Sequence, residues 1–221
     1  MGPLATVKFL EELIYVTPAK KDQEHIDVIT YTIPSIPDRT EYIRDHSKPN
    51  PGEIIKRYIE TLAPQVDFIA IPCMTAMYFY EDIRDIAEII NFASILLEAV
   101  KEQGHLNVGI LATEGTVVGG VFDKYNDYGI NIIYPDDEFQ EKMMDVIYDI
   151  KNGEAYNIDQ FYSVANNLRK KGAEVAILAC TELKIIKEAY RLDPTFYVDG
   201  LNLLAKAVVT RMEEYVKKGD C

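Results

Sequence analysis

The strongest constraint on this chain is a repeated pattern: a helical segment, a short apolar run, and a cysteine where the run stops. It occurs as DFIAIPCMT around Cys73 and as EVAILACTE around Cys180, 107 residues apart. Short apolar runs bounded by helical periodicity read as buried strands of a parallel sheet. Strands and helices alternate along the rest of the chain as well. The pattern predicts an α/β fold of two similar, pseudo-two-fold-related lobes with parallel-sheet βα architecture.

In the first half, residues 4–16 read as a helix, DVITYTIP as a strand, PDRT and HSKPNPGE as loops and GEIIKRYIETLA as a helix. DFIAIP is then a strand, YFYEDIRDIAEII a helix, and a further helix begins near Ala93. The second half restarts with the strand LNVGILA, the loop ATEGT and a glycine-weakened helix, VVGGVFDKYNDYG. The strand NIIYP, two helices, the strand EVAILA and a helix from about Glu182 to Tyr190 follow. MGPLAT matches the ATEGT loop with no strand ahead of it, so the first lobe is expected to lack its opening strand. The expected lobes are residues 1–93 and 94–200, with an amphipathic helix over 201–221 packing back on the first.

Charge and cysteine usage limit the partners. A formal net charge of −13 without a basic patch argues against nucleic acid and anionic membrane surfaces. Three irregularly spaced cysteines do not make a disulfide framework, and point to a reducing cytoplasm. No ligand spacing for a metal is present, and GTVVGG lacks the lysine and spacing of a phosphate loop.

In parallel α/β sheets, ligands gather at the carboxyl ends of strands, where Cys73 and Cys180 are expected. A helix N-terminus after each would favour the thiolate. A lone cysteine is usually an inert small hydrophobe. Two at equivalent strand ends, each with a threonine one or two residues on (Thr75, Thr181), instead suit proton removal on one face of a molecule and delivery on the other. That chemistry inverts a carbon centre with neither metal nor organic cofactor. Cys221, at the C-terminus, reads as a spectator. Arg39 can fork onto a carboxylate or stand in an exposed loop. Lys151 can meet a substrate or complement the end of its helix. Thr116 and Thr181 can donate to an anion or cap turns.

MGPLAT, TPAKKDQEH, IPDRT, PC-x-T-A, ATEGT and ACTEL, in that order, resemble the aspartate racemase branch of the aspartate/glutamate racemase superfamily. The resemblance spans nearly the whole chain. It implies a cofactor-independent amino-acid racemase, a homodimer, with Cys73 and Cys180 as the two acid–base thiols. Arg39 and Lys151 become anchors for the substrate's side-chain carboxylate, and Thr75, Thr116 and Thr181 line the site. The family usually writes PCNTAH where this chain has PCMTAM, so Met74 and Met77 replace an amide and an imidazole. Two alternatives follow from those departures: a non-catalytic relative that binds a small carboxylate, and a cysteine-dependent isomerase with another substrate.

Overall fold

The computed structural model describes residues 2–218, so Cys221 lies outside the described residues. Helix α1 (Pro3–Val16) starts with proline in its first turn, where the missing N–H costs nothing. Helix α2 (Arg39–Arg44) is capped by Asp38, whose carboxylate accepts from the Glu41 N–H at 3.0 Å. PDRT therefore opens a helix rather than forming the expected loop. Helix α3 (Pro51–Leu62) begins at an Asn50 cap and buries Ile55 and Ile59, four residues apart on one face. A 3₁₀ segment, Met74–Phe79, follows Cys73 and leads into the short α4 (Tyr80–Ile83), where one longer helix was expected. Helix α5 (Phe92–Glu102) starts at Asn91, whose side chain accepts from the Ser94 N–H.

Beyond α5 come β1 (Asn107–Leu111), α6 (Glu114–Val118), α7 (Val121–Lys124) and β2 (Asn131–Ile133). The expected single helix after ATEGT is split in two, because Gly120 adopts φ 59° between α6 and α7. Helix α8 (Asp137–Asn152) stops at Gly153, φ 71°, and α9 (Ile158–Lys170) follows. The chain closes with β3 (Val175–Leu178), α10 (Leu183–Tyr190), β4 (Tyr197–Asp199) and α11 (Gly200–Lys218). Strand β4, in FYVD, is an element the sequence pattern did not suggest: three residues are too few to show a period.

Among the described residues four strands form one parallel sheet, in the order β2-β1-β3-β4. Side-chain alternation divides the core across this sheet. Val108, Ile110, Val175 and Ile177 point into a cluster shared with α5, α11 and the first half of the chain. Leu111, Ala176 and Leu178 point the other way, against α8, α9 and α10. The α/β class and parallel sheet agree with expectation.

The first half departs from it. DVITYTIP is not a strand, and DFIAIP makes one parallel bridge, Ile69 to Ile89. Both runs have high β propensity, yet propensity yields a strand only when a neighbour offers a ladder. Helix α11 packs on α1 and α5. A buried ion network ties α1 to the C-terminal half: Lys184 of α10 pairs with Glu12 of α1 and, at 2.7 Å, with Asp199. Lys187 also reaches Asp199 at 2.6 Å, and the Asn202 amide donates to Glu12 at 2.7 Å.

Candidate active site

The carboxyl ends of the sheet and the turn after residue 71 open onto one cavity of about 220 Å³. That is smaller than the roughly 300–1,000 Å³ of drug-sized sites, and suits a metabolite of a few heavy atoms. All seven residues singled out from sequence line it: Cys73, Cys180, Arg39, Thr75, Thr116, Lys151 and Thr181. The cavity also takes in Gly2 to Ala5, at the start of α1.

Cys180 follows β3 and is buried, whereas Cys73 is partly exposed. The Cys180 thiol donates to Glu182 Oε2 at 3.0 Å, and the Thr181 hydroxyl donates to the same oxygen at 3.0 Å. Burial pushes the Cys180 thiol well above the usual thiol range, and the Glu182 carboxylate adds to the effect against an opposing pull from Lys151. Cys180 therefore holds its proton at neutral pH. Glu182 was not anticipated. Its position in ACTEL, two residues beyond the cysteine, was the available signal, but a glutamate at a helix start is also an ordinary helix-dipole partner.

Glu182→Gln removes the charge that opposes the thiolate. Iodoacetamide labelling of Cys180 at pH 8 is expected to accelerate on the order of tenfold, with Cys73 labelling as internal reference. An unchanged Cys180 rate would remove Glu182 as a cause of its protonation.

Lys151 sits in the last turn of α8, 5.3 Å over the Tyr148 ring. The residue as a whole is exposed, but it borders the cavity and its ammonium feels both cysteines. Desolvation works to lower its pKa; attraction to the thiolate form of Cys180, to Glu182 and to the thiolate form of Cys73 outweighs that and holds it above 10.5. Arg39, the first residue of α2, donates from Nη1 to the Pro37 carbonyl at 3.2 Å, while its buried Nε has no protein partner. A buried guanidinium nitrogen left open beside a cavity is a place for a ligand acceptor.

Thr75, Thr113 and Thr116 form a buried triangle of hydroxyls, with Oγ1 separations of 2.7, 3.2 and 3.0 Å. Each can donate one bond and accept another, so the ring is self-satisfied and joins the Cys73 turn to α6. Thr113 was missed because ATEGT offers two threonines and only their spacing, i and i+3, places both at the same helix end. Gly115 makes this junction possible. A Cβ there would meet the Thr40 Cα at 2.8 Å and the Thr75 Cγ2 at 3.0 Å. Gly115→Ala is expected to cost about 1–3 kcal/mol through overpacking, lessened by alanine's better helix propensity, and to lower the melting temperature by several degrees. A melting temperature at or above wild type would show that α2 can retreat freely.

The two methionines have different fates. Met74 is buried in the cavity wall. Met77 is fully buried in the core, where its sulfur accepts from the Phe92 N–H at 3.4 Å. Its side chain serves packing, not the cavity. Among the described residues, no three His, Cys, Asp or Glu side chains are placed to hold a metal ion, and no helix is long and apolar enough to cross a membrane.

Two cysteines at the ends of apolar runs of an α/β fold line one small cavity, and comparison with known proteins identifies the family that carries this fold. Residues 1–208 match the family described as Asp/Glu/Hydantoin racemase, and the chain belongs to that family. The aspartate racemase of Picrophilus torridus superposes with a TM-score of 0.81 at 29% identity, over 96% of this chain and 90% of that one. The broad specificity amino-acid racemase RacX of Bacillus subtilis strain 168 is 26% identical over 223 residues, covering 97% of this chain and 96% of its own length. Glutamate racemase from Francisella tularensis, solved with D-glutamate, shares the fold (TM-score 0.64, 17% identity, 96% of this chain and 78% of that one).

Proposed function

We propose that this chain racemises aspartate or a closely related acidic amino acid, without metal or organic cofactor, through Cys73 and Cys180. The observation that carries the reading is the convergence of two thiols and two cations, Arg39 and Lys151, on one metabolite-sized cavity. A thiolate on one side takes the α-proton, and the thiol opposite delivers its own proton to the other face of the carbon. At the end of a turnover the carbon is inverted and the two sulfurs have exchanged protonation states. Cys180, protonated by burial and by Glu182, enters the cycle as the proton donor. Lys151 lowers the cost of a thiolate on either side, since its charge attracts both sulfurs. The open Nε of Arg39 supports recognition of a carboxylate. Family membership and the likeness to the Picrophilus aspartate racemase support the substrate class.

In deuterated water, L-aspartate should lose its α-proton and accumulate as the deuterated D-isomer. Folded protein that does neither would end the proposal. A second reading, turnover of amino acids with less polar side chains, rests on the thioether of Met74 in the cavity wall and on the likeness to RacX. The same exchange assay across a panel of amino acids separates the two: turnover confined to aspartate excludes the second, and faster turnover of apolar side chains excludes the first.

A further inference from the structure

Four ionised side chains border the cavity that holds the two cysteines: Arg39, Lys151, Asp38 and Glu182. Among the described residues neither cation is paired with a carboxylate. Arg39 donates to the carbonyls of Ile36 and Pro37, and the Lys151 ammonium stands over the Tyr148 ring. Separate charges of both signs around a space of about 220 Å³ fit a ligand that carries charges of both signs. The two cations have a role in the proposed reaction, as acceptors of carboxylates. The α-ammonium of an amino acid still needs a partner, because it has three donors and no acceptor.

The two acids differ in what they have left to offer. Glu182 is buried, and its Oε2 already accepts from the Cys180 thiol and the Thr181 hydroxyl. Its Oε1 faces Gly2, 3.5 Å from where a Cβ on that residue would stand. Asp38 is half-buried, and its Oδ1 accepts from the Glu41 N–H at 3.0 Å, which fixes the carboxylate at the head of α2. Its Oδ2 has no hydrogen bond or ion pair among the described residues. Asp38 also lies on the same side of the cavity as both cations. Burial pushes the Tyr148 phenol up, and of the charges acting on that phenol Asp38 comes first, ahead of Lys151 and Arg39. Capping alone accounts for Oδ1, and an asparagine or serine would cap as well. It gives no reason for a second, open carboxylate oxygen beside an arginine and a lysine.

We propose that Asp38 is the ammonium acceptor of this cavity and selects amino acids over carboxylic acids of the same shape. The assignment rests on the amino-acid reading of the site given above. Oδ2 accepts one N–H of the ligand's α-ammonium in a charge-assisted hydrogen bond, while Arg39 and Lys151 hold carboxylates. Inversion moves only the hydrogen from one face of the α-carbon to the other. The heavy substituents can therefore stay on their anchors, and one acceptor serves both enantiomers. Asp38 touches substrate in this scheme and transfers no proton.

Asp38→Asn tests the assignment, because asparagine keeps the shape and the helix cap and removes the charge; Asp38→Ser, which also caps, is the second variant. Binding to the full chain is measured by titration calorimetry with two ligand pairs. One is racemic aspartate and succinate, which lacks only the amine; the other is methionine and its deaminated acid. The wild type should bind an amine-bearing ligand more tightly than its amine-free counterpart. In both variants that ligand should bind roughly 10–100-fold more weakly, and the counterpart within about threefold of wild type. A wild type without preference for the amine in either pair overturns the proposal. So does an equal loss for both members of a pair, which would make Asp38 a support for Arg39 and not a ligand group. Glu182→Gln runs in parallel: loss of the amine preference there, and not in the Asp38 variants, would move the ammonium to Glu182 and also overturn it. Deuterium exchange into aspartate is read separately. An amine preference that depends on Asp38 without exchange would keep the subsite and end the proposed reaction, and exchange without the preference would do the reverse.

Discussion

Cys73→Ser and Cys180→Ser are each expected to lower aspartate racemisation by roughly 10²–10⁴-fold, the range of a single positioned acid–base group. The hydroxyl is too weak an acid to form the base or to surrender a proton as a thiol does, while the side chain is almost isosteric, so the fold should be kept. The discriminating readout is stereochemical. An enzyme left with one working thiol can still remove a proton and return one to the same face. Each single variant should then exchange the α-proton of one enantiomer, the one whose proton faces the remaining thiol, with retention of configuration and faster than it racemises. The double variant should do neither. If both single variants racemise within about threefold of wild type while circular dichroism shows them folded, the two-thiol proposal is wrong and other groups move the proton. Loss of racemisation in only one variant would argue for a one-base site.

The parts of the molecule that could be read from sequence are those in which local pattern and tertiary environment agree. VAILA is apolar throughout because β3 is buried on both faces, and every residue of that strand is buried. Lys151 was placed at a helix end by Asn152-Gly153, and the structure puts it there, with its ammonium at the cavity. DVITYTIP shows the opposite case. Its composition is that of a strand, but a strand is a relation between two segments, and among the described residues no second segment pairs its backbone with residues 27–32. Glu182 escaped for a related reason: its interest lies in a thiol and a hydroxyl that donate to it, and neither contact leaves a periodic trace. Met77 was grouped with Met74 on their shared motif, yet the 3₁₀ turn after Cys73 sends one to the cavity and the other to the core.

The buried ion network should give the largest stability effect among polar substitutions. Lys184 is 7% exposed at its side chain and stands between Glu12, 11% exposed, and Asp199, 9% exposed. Lys184→Met keeps most of the volume but leaves two buried carboxylates sharing fewer donors. Breaking a buried pair costs about 3–5 kcal/mol. Here the lower end, about 3 kcal/mol, is expected, because Asp199 retains Lys187 and Glu12 retains the Asn202 amide. For a chain of this size that is a fall of roughly 6–12 °C in melting temperature. The pH dependence carries the sign. Burial pushes the Asp199 carboxyl up, but hydrogen bonds from Lys184 and Lys187 more than offset it and hold the group below 3.8. A depressed carboxyl contributes stability above its ordinary pKa and loses it as pH falls through the folded value. Lys184 is the mirror case: burial lowers it, hydrogen bonds to Asp199 and Glu12 raise it further, and its contribution is lost as pH rises through a value above 10.5. The penalty of Lys184→Met should therefore be full between about pH 5 and 9 and shrink on acidification toward and below 3.8, where protonated carboxyls no longer need a cation. Denaturant melts of both proteins across that range test it. A penalty that stays constant down to pH 3 would show that Lys184 acts through packing of its stem, not through its charge. Because Glu12 belongs to α1, whose first residues line the cavity that holds Cys73 and Cys180, the same substitution should weaken binding of the proposed substrate under conditions where the protein is still folded.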